Sequence, residues 1–114
     1  MAVVNITVAN DADFYRLFLY KTISGPPVDL TDAEFVMMLR RHAKDSIALM
    51  QLSTDSGEIV VVDPTGGVFS LLVPQPRLVE LPLGPYDQSL VMTLHGVKQQ
   101  IWSGLFTINA GPSR

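Results

Sequence analysis

The chain reads as an all-β protein, a β-sandwich or small barrel, and three observations carry that expectation. Short apolar segments recur about every ten to fifteen residues. The stretches between them carry the Gly, Pro, Asn and Asp that turns require. No segment makes a convincing long helix.

Taken in order, the first candidate strand is Val3 to Val8, "VVNITV", followed by the polar "ANDAD". Phe14 to Lys21, "FYRLFLYK", is aromatic and apolar on both faces, the pattern of a central strand, and ends at "SGPP". The stretch "DLTDAEFVMMLRRHAKDS", Asp29 to Ser46, admits two readings. As a helix it has Thr31 and Glu34 at capping-box spacing and a stripe of Phe35, Met38, Leu39 and His42. As a strand it places Phe35, Met37 and Leu39 on one face and Val36, Met38 and Arg40 on the other. The strand is preferred. A helix would stand alone among strands and leave Val36 and Met37 off its stripe, whereas a strand pairs with its successor across "RHAKDS".

That successor, Ile47 to Ser53, ends at the turn signal "TDSG". Glu58 to Asp63, "EIVVVD", is rich in β-branched residues and stops at Pro64. "PTGG" turns the chain into Val68 to Val73, "VFSLLV". The connection "PQPRLVELPLGP" is too broken by proline for a strand, and only Arg77 to Leu81 could form a helical turn. Tyr86 to His95 alternates, with Tyr86, Gln88, Leu90, Met92 and Leu94 on one side. Gly96 turns the chain into Gln99 to Ile108, a terminal hairpin in which Trp102 and Phe106 share a face. If Ile101 and Leu105 take the opposite face, that strand is apolar on both sides. The tail "NAGPSR" reads as polar and extended. The total is about eight strands with no internal repeat, and residues 1–114 are expected to form one domain.

At 114 residues the chain is long enough to bury one ordinary core. Its apolar fraction is 47%, and its charged fraction of 17% is low against an average near ~25%. So few charges imply either a large core or an outer surface covered by a partner. The net charge of −3 argues against a nucleic-acid footprint. The small basic group Arg40, Arg41 and Lys44 has the pattern of a solvated edge. No cysteine is present, which removes disulfides, thiolate metal sites and a cysteine nucleophile together. "MAVVNITVANDAD" lacks the positive and apolar regions of a signal peptide. No apolar run nears the ~20 residues of a membrane span. Neither a nucleic-acid nor a membrane partner is expected.

Each candidate for chemistry has a plainer reading beside it. His42 and His95 lie more than fifty residues apart without a supporting carboxylate, and are expected as exposed turn residues rather than metal ligands. "NDAD" and "DLTD" do not reproduce the alternating oxygen ligands of a calcium loop, so turn formation is expected. "PTGG" has neither the lysine nor the helix of a phosphate cradle. Ser53, Ser56, Ser70, Ser89 and Ser103 sit in no GxSxG elbow. Phe14, Tyr15, Phe18, Tyr20, Trp102 and Phe106 lack the interleaved basic residues of a stacking platform and are expected in the core. No catalytic, cofactor-binding or metal-binding residue is assigned, no cofactor is expected, and the chain is not expected to be an enzyme.

The order of motifs adds a resemblance. "FYRLFLYKTISGPPVDLTDAEFVMMLRR" joins an aromatic strand, a Gly-Pro turn, an Asp-Leu-Thr step and a strand ending in Arg. "IALMQLSTDSGEIVVVDPTGGVFSLLVP", "LVELPLGPYDQSLVM" and "QIWSGLFTINAGPSR" follow, and together they span Phe14 to Ile108. This succession resembles a family of small structural proteins of tailed bacteriophages. Their immunoglobulin-like β-sandwich is similar to the N-terminal domain of upper baseplate proteins. The chain departs from the pattern where Gln88 follows the Tyr-Asp pair, a position expected to be apolar. The resemblance implies an immunoglobulin-like β-sandwich with at most a short helical turn. It also implies that Asp29 or Thr31 binds local backbone N–H groups at a strand entry.

By the same resemblance the expected function is that of a virion structural protein. It would be a tail, baseplate or neck adaptor or attachment module acting by protein–protein assembly, present in multiple copies as a homo-oligomer. Its expected partners are other virion proteins of the tail, baseplate, connector or capsid. Its expected location is the virion, assembled in the host bacterial cytoplasm. The alternatives are a capsid decoration (cement) protein and a host-surface carbohydrate-binding module.

Overall fold

The computed structural model describes residues 2–22 and 24–113. Met1, Ile23 and Arg114, the last being the end of the tail expected to be extended, lie outside the described residues. The strands are β1 (Ala2–Val3), β2 (Ile6–Ala9), β3 (Phe14–Leu19), β4 (Glu34–Arg40), β5 (Met50–Ser53), β6 (Ile59–Asp63), β7 (Val68–Val73), β8 (Gly84–Leu94) and β9 (Val97–Asn109). A helix of five residues, α1 (Gln75–Val79), lies between β7 and β8.

Two sheets form the sandwich. The larger runs β1-β9-β8-β4-β5, with β2 also pairing β9, and the smaller runs β3-β7-β6. Their inner faces meet through aromatic rings: Phe69 of β7 stacks on Phe35 of β4 at 4.7 Å and lies 6.0 Å from Trp102 of β9. Around these rings the core holds Met37, Leu39, Leu52, Leu71, Leu90 and Phe106, all essentially buried. Apolar burial at roughly 25 cal/mol per Å² is what holds the two layers together.

The ambiguous stretch resolves as strand β4. Phe35, Met37 and Leu39 are each 0% exposed, while Val36, Met38 and Arg40 are half-buried on the other face. Period-2 alternation is therefore complete over the segment. The would-be helix cap is used otherwise. Asp29 Oδ1 accepts the backbone N–H of Thr31 at 2.9 Å and its hydroxyl at 2.6 Å, and Asp32 takes a left-handed φ of 64°. The chain thus enters β4 through an Asx-type turn.

The β8–β9 hairpin forms as the alternation predicts, with antiparallel partners from Gly84↔Ile108 to Leu94↔Val97. His95 at φ 52° and Gly96 at φ 80° make the two-residue turn, the left-handed pair that matches strand twist. One register shift interrupts the ladder between Leu90 and Val91, which pair with Trp102 and Gln100. Ile101 is the extra residue of this bulge and is buried, so it does not simply join Leu105 on an outward row. Leu105 is exposed.

Several sequence expectations need correction. Val3 to Val8 is not one strand: it breaks at Val4 and Asn5, which face Gly104. Only Met50–Ser53 of the segment beginning at Ile47 is strand, and Ile47 and Leu49 are exposed ahead of it. The helical turn begins two residues earlier than Arg77, because Asp13 Oδ1 accepts the Gln75 N–H at 2.6 Å and pins its start. The tail is not freely extended: Asn10 Oδ1 accepts the Gly111 N–H at 2.8 Å and Asp11 Oδ2 the Ser113 N–H at 3.4 Å. "FYRLFLYK" is not central, since β3 is an edge strand with β7 as its only strand partner among the described residues. Of the aromatic residues placed in the core, Tyr15 is 59% exposed.

Candidate functional site

The edge position of β3 leaves the outer side of the smaller sheet uncovered. Antiparallel pairing sets Leu17 beside Ser70 of β7 and Ser70 beside Val60 of β6. Tyr15 and Leu19 flank Leu17 on the same face, beside Leu72 and Val68. Tyr15, Leu17 and Leu19 are 59%, 53% and 50% exposed, and Val60 and Val62 are 48% and 52% exposed. The result is a contiguous apolar face without a charged side chain in its middle, the kind of surface that marks an interaction site. Asp63, at the end of β6, turns back into the next turn, where its Oδ1 accepts the Gly66 N–H at 3.1 Å.

The inner side of β3 is built differently. Phe14 meets Phe106 edge-on at 6.4 Å, and Phe18 lies 4.8 Å from Trp102. Between them Arg16 extends over both rings, 5.3 Å from the Phe14 centroid and 6.0 Å from that of Phe18. A charge on the inward side of an edge strand obstructs pairing with another strand. At the other edge a register shift between Val61 and Asp63 interrupts β6. The face of this sheet, rather than either edge, is the surface best suited to a partner.

The larger sheet has an outer face of a different character. Its curvature forms a groove of about 770 Å³ floored by Val36, Met38, Ser89, Val91, Gln100 and Ser103. Arg40, Asp87 and Lys98 stand at its ends. Two of these are committed to the loop after β4: Asp87 Oδ2 accepts the Ala43 N–H at 2.8 Å, and Arg40 donates to the Asp45 carbonyl at 3.1 Å. No Trp or Tyr is among the residues lining the groove. Trp102 and Tyr86 are buried, 5% and 1% exposed.

The remaining candidates for chemistry are dispersed. His42 lies in the exposed loop after β4 and His95 in the exposed β8–β9 turn, at opposite ends of β8. From Asp87 to His95 is eight strand residues, roughly 27 Å at ~3.4 Å each. They cannot share an ion. Among the described residues no group of three or more His, Asp or Glu is placed to hold a metal ion. "NDAD" fastens the tail and α1, and "DLTD" makes the turn into β4.

Two of the serines do come together. Ser53 and Ser56 hydroxyls are 2.7 Å apart, Ser56 also donates to Glu58 Oε1, and Glu58 meets Arg77 at 3.4 Å. Burial pushes the Glu58 carboxyl up, but the Ser56 hydroxyl, the Ser53 N–H and Arg77 outweigh it and hold the group below its ordinary value. Asp29 is likewise lowered, by the hydroxyl and N–H of Thr31. Both networks brace turns.

Buried polar groups are satisfied with the same economy. Gln88, the departure from the expected apolar position, accepts the Trp102 indole N–H at 2.9 Å and donates to the Val4 carbonyl at 2.8 Å. Tyr86 donates its hydroxyl to the Pro82 carbonyl while Arg41 covers its ring at 4.7 Å. A tyrosine bonding backbone a few residues upstream at a strand entry is the tyrosine corner of immunoglobulin-like sandwiches.

These features define an all-β, immunoglobulin-like sandwich whose most conspicuous open surface is apolar. No protein-family model and no curated protein sequence matches the chain. Among solved structures it is similar to the N-terminal domain of phage TP901-1 ORF48. The match has a TM-score of 0.55 and 11% identity over 95% of this chain and 85% of that one. The likeness is one of fold, and it spans nearly the whole sandwich.

Proposed function

We propose that the chain is a structural protein of a bacteriophage virion, an adaptor or attachment module of the tail, baseplate or neck. It acts by protein–protein assembly and carries no enzymatic activity or cofactor. The observation that carries this reading is the uncharged apolar face of Tyr15, Leu17, Leu19, Val60 and Val62 on a fold shared with a phage domain. Such a face costs solubility in a free domain and is stabilised when neighbours cover it. In this reading residues 1–114 work as one domain, in multiple copies, contacting other virion proteins of the tail, baseplate, connector or capsid. The site of assembly is the host cytoplasm, with neither nucleic acid nor membrane as partner.

The alternative of a carbohydrate-binding module gains nothing from the groove of the larger sheet. Sugar recognition draws on exposed aromatic faces among polar groups, and the groove residues supply none. Capsid decoration would use the same apolar face on a different part of the particle.

Immunogold labelling of intact particles with an antibody against this chain tests the proposal. Label confined to tail, baseplate or neck is the expected result. Label spread over the head would move the protein to capsid decoration, and unlabelled, protein-free particles would end the virion reading.

A further inference from the structure

The apolar face of the smaller sheet calls for an occupant, and its chemistry narrows the choice. We infer that two copies of this chain pack through it, β3-β7-β6 sheet against β3-β7-β6 sheet, about a two-fold axis. The inference rests on the assembly reading above and specifies one of its contacts.

Charge is the first consideration. In a two-fold interface each side chain meets the same patch on its partner, so a charged patch would face its own sign. This chain carries a net charge of −3, yet the middle of this face has none: Tyr15, Leu17 and Leu19 on one side, Val60 and Val62 on the other. Of the acidic residues at its margin, Asp63 is held in its own turn, and Glu58, whose carbonyl accepts the Leu72 N–H, is paired with Arg77. The face is therefore able to meet itself without repulsion.

Shape agrees with charge. Ser70 in the central strand is 4% exposed between Leu17 and Val60, so the middle of the face lies lower than its flanks. A ridge from one copy, Tyr15 to Leu19, has a shallow channel to enter on the other. Sheets packed face to face in this way lie ~10 Å apart with their strands within about 30°.

Area completes the case. At roughly 100 Å² for each half-exposed large apolar side chain, the five residues offer on the order of 500 Å² per copy. Two copies then bury on the order of 1,000 Å² from these residues alone. Val68, Leu72 and the polar rim carry the total toward the ~1,200 Å² at which stable interfaces begin. Edge pairing competes poorly, because Arg16 occupies the inward side of β3 and a bulge between Val61 and Asp63 interrupts β6.

Sedimentation equilibrium of the purified chain from micromolar to submillimolar concentration reads the inference directly. The expected result is a reversible shift to twice the chain mass. Leu17→Lys and Val60→Lys should each raise the dimer dissociation constant by about tenfold or more while leaving the circular dichroism spectrum unchanged. Leu17→Ser is the milder variant if lysine disturbs folding. Val91→Lys, on the outer face of the larger sheet, should leave association as in the parent. A monomer at every concentration, or a dimer indifferent to Leu17→Lys, overturns the inference. A monomer that Leu17→Lys bars from particles would assign the face to a different virion protein, and also overturns it. A dimer that leaves particles unlabelled would sink the virion reading and leave this contact standing.

Discussion

Gln88 and Trp102 are diagonal neighbours across the β8–β9 hairpin, opposite Gly104 and Leu90 respectively, and the indole N–H is donated to Gln88 Oε1 at 2.9 Å inside the sandwich core. The other end of the same amide donates to the Val4 carbonyl at 2.8 Å, where the chain breaks between β1 and β2. One side chain thus satisfies a buried ring and a half-buried backbone group that belong to different elements.

Gln88→Leu should therefore cost about 1–3 kcal/mol, the penalty of a buried group left unpaired, here chiefly the Trp102 indole N–H, since the half-buried Val4 carbonyl is within reach of water. Urea unfolding measures it. Adding Trp102→Phe should cost less in the Gln88→Leu background than in the parent, since the stranded indole N–H goes with it. Fully additive losses would show that the two side chains act independently.

Gly104 makes a second test of the same junction. A Cβ there would lie 2.1 Å from the Val4 carbonyl oxygen and 2.8 Å from Asn5 Oδ1, which accepts the Leu105 N–H at 3.0 Å. Gly→Ala within a strand ordinarily helps by reducing unfolded-state entropy. Here Gly104→Ala should instead lower stability by roughly 2 kcal/mol or more. Hydrogen exchange should show lost protection at β1 and β2, with β4 and β7 amides retaining theirs.

The two adjacent methionines of β4 separate its faces. Met37 is fully buried beside Phe35 and Leu39, whereas Met38 is half-buried on the groove side. Met37→Lys should unfold the chain or cost more than about 4 kcal/mol, the penalty of an unpaired charge in the core. Met38→Lys should cost about 1 kcal/mol or less. Thermal melts of the two variants check the contrast.

Acid stability follows from Glu58. Its folded carboxyl titrates below the ordinary value of 4.5, so the unfolded chain takes up this proton first. The contribution is fully present above pH 4.5 and is lost as pH falls through the folded value. Asp29, also lowered, acts in the same direction below its own ordinary value of 3.8. Glu58→Gln should flatten the fall in denaturation midpoint below pH 4.5 while leaving Asp29's share, measured by urea titration at stepped pH.

Local pattern carried the recognition of several elements. Alternation in "EFVMMLR" and "YDQSLVMTL" marked β4 and β8 and the faces they bury, since successive strand side chains point to opposite sides. The Gly-containing turns and the proline-broken connection were equally visible, because those residues act on the backbone where they stand. Of the candidate site, only the excess of apolar over charged residues was legible. It indicated a covered surface without locating it.

Composition and spacing by themselves determined that this chain would make short alternating strands joined by tight turns, and which residues of β4 and β8 would share a face. Only the tertiary structure decided that the aromatic strand β3 lies at an edge, that Gln88 bridges Trp102 to Val4, and that Tyr15, Leu17 and Leu19 face outward beside Val60. The reason is physical. Alternation is a property of one strand's backbone, but burial depends on what a second layer covers, and sheet order and layer packing are set by contacts distant in sequence.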